Sequence, residues 1–110
     1  MIALVEDKKE EIAKLCEKFG VVRLDIFGSA VNGKFNEASS DLDFIYEFAP
    51  DHELDLFDRY FGLVEALEEL FHRPIDLNHE PSGRNPIYTR SVNRSREAVY
   101  RGRGNSEAAA

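Results

Sequence analysis

Residues 41–48, Asp-Leu-Asp-Phe-Ile-Tyr-Glu-Phe, alternate so regularly that they specify a β-strand with two unlike faces. Leu42, Phe44, Tyr46 and Phe48 form an apolar face, while Asp41, Asp43, Ile45 and Glu47 point the other way. Such a strand suits a small sheet covered by helices. The rest of the chain supplies both. Residues 21–27 are β-branched and alternating, with Val22, Leu24 and Ile26 on one face, and residues 74–78 give a shorter strand in which Ile75 and Leu77 share a face and Asp76 opposes them.

Helices fill the intervals. Asp7 with Glu10 reads as a capping box, and Ile12, Leu15, Cys16 and Phe19 follow at helical spacing up to Gly20. Pro50-Asp51 opens the longest helical pattern, with Phe57, Tyr60, Phe61, Val64, Leu67 and Phe71 as its expected core stripe. Ser29 can open one short helical turn, and Ile87, Val92 and Val99 predict a last helix over about 85–100. The expected fold is therefore α/β (α+β), a small mixed β-sheet flanked by helices in the order α-β-α-β-α-β-α. Residues 1–101 read as a single domain and 102–110 as a disordered tail.

Composition narrows the function classes. A chain of 110 residues with 43% apolar content can bury one modest core, so a large substrate has to come with a partner. No apolar run approaches the ~20 residues of a membrane span, and Glu6-Asp7 follow the first apolar residues where a cleavage site would stand, so a cytoplasmic location and no membrane contact are expected. Cys16, the single cysteine, lies on an apolar helix stripe and reads as a small buried hydrophobe, which excludes disulfides and thiolate zinc sites. A net charge of −7 argues against direct nucleic-acid binding, although residues 81–103 carry six arginines against Glu97 alone and form a basic end that reads as a solvated helix face, or as a contact for an acidic partner or nucleotide phosphates.

Three features carry chemistry. Strand 21–27 stops at Gly28-Ser29, where glycine permits close backbone approach and the serine hydroxyl with following N–H groups suits a phosphate. Asp41 and Asp43 lie on one face of a strand, about 6.6 Å apart along it, and repel unless cations neutralise them. Hard oxygen ligands at this reach suit Mg²⁺ ions. Asp76, between two apolar residues on another strand, can complete a three-carboxylate site if that strand is a neighbour.

Phe27-Gly28-Ser29-Ala30, then Ser40-Asp41-Leu42-Asp43-Phe44 with eleven residues between Ser29 and Asp41, and later Ile75-Asp76-Leu77 together resemble the motifs of the polymerase-beta-like nucleotidyltransferase superfamily, in its minimal (MNT) type. The resemblance implies that Gly28 and Ser29 bind the triphosphate of an NTP, ATP in the simplest case, and that Asp41, Asp43 and Asp76 are catalytic carboxylates holding two Mg²⁺ ions. It implies transfer of AMP to a hydroxyl. Minimal nucleotidyltransferases of this kind resemble antitoxins paired with HEPN-domain toxins, where a toxin tyrosine is the acceptor. Two alternatives come with the resemblance: an antitoxin that acts by contact alone, and a small-molecule nucleotidyltransferase of the aminoglycoside-inactivating kind. Family members often carry basic residues just after the Gly-Ser, whereas here none occurs before Lys34.

Overall fold

The computed structural model describes residues 3–27, 41–79, 90 and 96–102. Helices α1 (Ala3–Glu6), α2 (Lys9–Phe19) and α3 (Leu56–Phe71) accompany strands β1 (Val21–Phe27), β2 (Leu42–Phe48), β3 (Ile75–His79) and β4 (Glu97–Arg101). The strands form one sheet in the order β3-β2-β1-β4. β1 runs antiparallel to both β2 and β4, whereas β2 and β3 are parallel, joined by the crossover through α3. This is the mixed sheet with helices that the sequence predicts. The short helical turn expected at Ser29 lies outside the described residues, as do residues 103–110 of the expected tail, whereas Gly102 is buried and its N–H donates to Val22 O at 2.8 Å.

The core sits between the helices and one face of the sheet. Ile12, Cys16 and Phe19 of α2 and Leu63, Leu67 and Phe71 of α3 close over Leu24, Ile26, Leu42, Phe44, Ile75 and Leu77. Burial pushes the Cys16 thiol up to about 12, with a smaller contribution from Glu17, so it packs as the expected hydrophobe. The opposite face of the sheet carries Asp25, Asp43, Ile45 and Asp76, by the alternation of the strands.

Several expectations are corrected. The helix expected up to about residue 100 gives way to a strand from Glu97: of residues 85–95 only Arg90 is described, and it is helical, whereas β4 gives β1 a second ladder partner and Val99 and Tyr100 pack against the core. Asp7 does not cap α2, because its N–H continues α1 by donating to Ala3 O at 2.9 Å, and Lys8 holds the cap position without a side-chain bond. The long helix starts at Leu56 and not at Pro50, since Asp55 Oδ1 accepts from Asp58 N at 2.8 Å and makes the true N-cap. A register shift between Val21 and Arg23 turns Val21 inward and leaves Val22 half-buried.

The largest correction concerns the face of α3. Phe57 and Phe61 are 68% and 48% exposed, while Arg59 is 2% exposed and shares the inner face with Leu63, Leu67 and Phe71. Arg59 lies inside because it ties three chain segments together. Its Nε donates to Phe19 O at 2.8 Å and its Nη2 to Gly20 O at 2.8 Å and Ala49 O at 3.0 Å, with the guanidinium 4.3 Å from the Phe48 ring centroid. Gly20, at φ 73°, ends α2 in the left-handed conformation.

Close helix contact sets a further constraint. A Cβ at Gly62 would stand 2.5 Å from Phe19 Cε1 and 2.9 Å from Cζ, and Phe19 is itself buried. Gly62→Ala should therefore destabilise the protein by about 1–2 kcal/mol, because overpacking outweighs the ~1 kcal/mol that alanine gains over glycine inside a helix. Urea unfolding of the two proteins measures it; an increase in stability would show that the two helices can part at no cost.

Candidate active site

The sheet register brings two of the expected carboxylates together. Asp43 of β2 is the direct partner of Asp76 on β3, and on its other side it pairs with Phe27, the last residue of β1. Neighbouring strands are about 4.8 Å apart, so the two carboxylates stand side by side. Gly28 and Ser29 lie outside the described residues. Gly28 nonetheless follows Phe27 by one peptide unit, about 3.8 Å, so the chain leaves β1 level with Asp43. Asp41 stands just before β2, is exposed, and lies two residues from Asp43.

The electrostatics of the pair follow from this geometry. Burial raises the Asp43 carboxyl from its ordinary 3.8 to about 6, helped by the charge of Asp76, a hydrogen bond shared with the Asp76 side chain, and the charge of Asp41. Below pH about 6 Asp43 thus keeps a proton beside Asp76 in place of a second negative charge. Oxygen-only donors that repel one another when ionised suit a hard divalent cation, which would favour the ionised form. Among the described residues no group of three or more His, Cys, Asp or Glu converges on one point.

A raised carboxyl pKa has a definite sign for stability. The folded state keeps its proton up to pH about 6, whereas the unfolded chain loses it near 3.8, so the contribution is present below pH ~4 and lost as pH rises through 6. Two units correspond to about 3 kcal/mol, and solvent screening of the half-buried Asp43 reduces that to about 1 kcal/mol. In chelator-containing buffer, the stability of wild type relative to Asp43→Asn should fall by about this much between pH 4.5 and 7.5. A constant difference over that range, measured by urea unfolding, would contradict a carboxyl raised by burial beside Asp76.

Next to the pair along the same face lies a feature that sequence reading missed. Asp25, 2% exposed, pairs in register with Ile45 of β2 and Ala98 of β4. Its Oδ2 accepts from Arg96 Nε and lies 2.6 Å from Arg96 Nη2, and its Oδ1 accepts from Arg101 Nη1 at 2.6 Å. Two arginines of the basic end thus hold β4 to β1 and do not lie on a solvated helix face. The available signal was an acid inside the apolar run 21–27, which demands a buried counter-charge. Glu47 pairs with Arg23 of β1 at 3.4 Å. His52 is fixed by Leu54 N, which donates to its Nδ1 at 3.0 Å, leaving Nε2 to face Lys18 O at 3.1 Å.

Comparison with known proteins identifies the family and the fold. Residues 8–101 match the nucleotidyltransferase domain family. The chain belongs to that family. Among solved structures, the nucleotidyltransferase domain is similar to a proposed minimal nucleotidyltransferase, with 30% identity over 84% of this chain and 89% of the other and a TM-score of 0.65. It shares its fold with a toxin–antitoxin crystallised with AMP-PNP, at 18% identity, 91% and 78% coverage and a TM-score of 0.62. The same holds for a complex of tri-AMPylated HEPN toxin with MNT antitoxin from Shewanella oneidensis, at 16% identity, 94% and 78% coverage and a TM-score of 0.59. Comparison with curated proteins finds no match. Among the described residues, no helix of this nucleotidyltransferase domain is long and apolar enough to cross a membrane.

Proposed function

We propose that this nucleotidyltransferase domain transfers AMP from ATP to a hydroxyl of a HEPN-type protein partner and so acts as its antitoxin in the cytoplasm. The observation that carries the reading is the side-by-side placement of Asp43 and Asp76 where β1 ends. On this reading Asp41, Asp43 and Asp76 hold two Mg²⁺ ions, which supply charge neutralisation to the attacking and leaving oxygens when bound. Gly28 and Ser29 hold the triphosphate with its α-phosphorus toward the carboxylates. The acceptor oxygen forms a bond to that phosphorus as the bond to the bridging oxygen breaks, and pyrophosphate leaves. Asp76, the more exposed of the pair, takes the acceptor proton. A dedicated acceptor domain is not needed if the acceptor is itself a bound protein.

The solved complexes that carry AMP-PNP or an AMPylated HEPN toxin support ATP as donor and such a toxin as acceptor. The absence of basic residues between Ser29 and Lys34 favours the alternative of neutralisation by contact alone. One experiment separates the two. The domain is incubated with its co-purified HEPN partner, ATP and Mg²⁺, and the intact mass of the partner is measured. The partner should gain the mass of AMP with wild type and not with Asp41→Asn/Asp43→Asn. A partner that is neutralised without any gain in mass would leave contact as the mechanism.

A further inference from the structure

The helical side of the molecule carries an apolar surface that the core does not use. Leu56, Phe57 and Phe61 are 66%, 68% and 48% exposed, and Leu54 just before α3 is 39% exposed. The rings of Phe57 and Phe61 stack at 4.7 Å, and Tyr60 meets Phe61 edge-on at 5.0 Å. Tyr46, Phe48, Leu56, Phe57, Tyr60 and Phe61 line an open groove of about 590 Å³ where α3 meets the end of β2. Contiguous apolar surface of this kind marks an interaction site more often than chance exposure.

Charge identifies what fits there. Residues 50–72 hold seven carboxylates, at Asp51, Glu53, Asp55, Asp58, Glu65, Glu68 and Glu69, against Arg59 alone. Arg59 is buried on backbone carbonyls and offers nothing to the surface. All seven acids are exposed. Asp58, Glu65 and Glu68 flank Phe57 and Phe61 at helical spacing, so the apolar stripe has an acidic rim. Two copies meeting through this face would bring like charges together, which disfavours a self-association of the chain.

We propose that the α3 groove docks a basic amphipathic helix of a partner protein, its aliphatic side chains against Phe57 and Phe61 and its Lys or Arg residues on the acidic rim. The carboxylates Asp43 and Asp76 lie on the other face of the sheet, so a helix held here leaves them open to nucleotide. The inference is independent of the transfer chemistry, and its test reads binding alone.

The probe is a labelled Leu/Lys amphipathic peptide of about 15 residues, long enough to form a helix in a groove. A Leu/Glu peptide with the same apolar face is the control. Titration into the ¹⁵N-labelled domain without nucleotide should shift amides of residues 54–65 and spare β2–β3 residues 41–43 and 75–77. Phe57→Ser/Phe61→Ser, at exposed positions that leave the fold intact, should weaken the Leu/Lys peptide at least about tenfold. Asp58→Lys/Glu65→Lys should shift preference toward the Leu/Glu peptide. The proposal is overturned if the Leu/Lys peptide fails to bind, if it binds the serine variant as tightly as wild type, or if both peptides bind equally. Sedimentation velocity closes the remaining route: a wild-type dimer that the serine variant loses would make a second copy the occupant and overturn it too.

Discussion

Asp43→Asn is expected to abolish nucleotide transfer, by at least about 10³-fold or roughly 4 kcal/mol of transition-state stabilisation, while making the metal-free protein more stable. The two effects have one cause. Asp43 is partly buried, pairs with Asp76 and feels the charges of Asp76 and Asp41, so its carboxyl rises to about 6. Near neutral pH the wild-type protein carries that repulsion, and an amide removes it at a gain of about 1 kcal/mol after solvent screening. The same amide lacks the second charge that a hard cation needs from its ligands. A gain in stability with loss of activity is the pattern of a group kept for function at a cost to the fold. Transfer assays and urea unfolding on the same preparation check both halves; loss of both together would make Asp43 a purely structural residue.

Arg59→Met is expected to cost about 3 kcal/mol, the largest loss from any single substitution considered, and to lower the melting temperature by roughly 15 °C. Methionine retains the aliphatic stem, so the experiment isolates the guanidinium. Removing it strands Phe19 O and Ala49 O, each of which costs about 1–3 kcal/mol when buried without a donor. Gly20 O loses less, because it also accepts from Ala49 N at 2.7 Å. Burial lowers the Arg59 pKa, and among the described residues no carboxylate pairs with it. The site on the far face of the sheet should keep its register, so a folded Arg59→Met protein should still carry out transfer below its melting temperature. A change under about 1 kcal/mol would show that water replaces the guanidinium at these carbonyls.

The elements most legible in the sequence are those where a local period decides the structure. Residues 41–48 alternate with Ile45 as the one exception, and β2 occupies 42–48. The stripe of Ile12, Cys16 and Phe19 with Gly20 behind it is likewise sufficient for α2 and its left-handed cap. α3 was legible as a helix but not as to its face. Phe57 and Phe61 keep the three-or-four spacing of a core stripe although Asp58, Glu65, Glu68 and Glu69 mark the side they share, and a charge at Arg59 argues for the wrong side unless its carbonyl partners are known. β4 was not legible. Its five residues fold as a strand because β1 has an open edge and Asp25 needs Arg96 and Arg101, neither of which is a local property.

The site divides in the same way. Asp41-x-Asp43 on one strand face follows from period two alone. The approach of Asp76 depends on which strand lies beside β2, and the parallel β2–β3 pairing through α3 decides it. Asp25 shows the limit of motif reading: a buried acid matching no motif proves central to the packing of the same face.

The most direct test of the account supplies the domain and its partner with Mg²⁺ and ATP labelled at either the α- or the γ-phosphate, and follows covalent label on protein. The account predicts that α-label appears on the partner, that γ-label leaves as pyrophosphate, and that Asp43→Asn yields neither product. Covalent label from the γ-position, or an equal α-signal with Asp43→Asn, would contradict a nucleotidyl transfer built on Asp43 and Asp76.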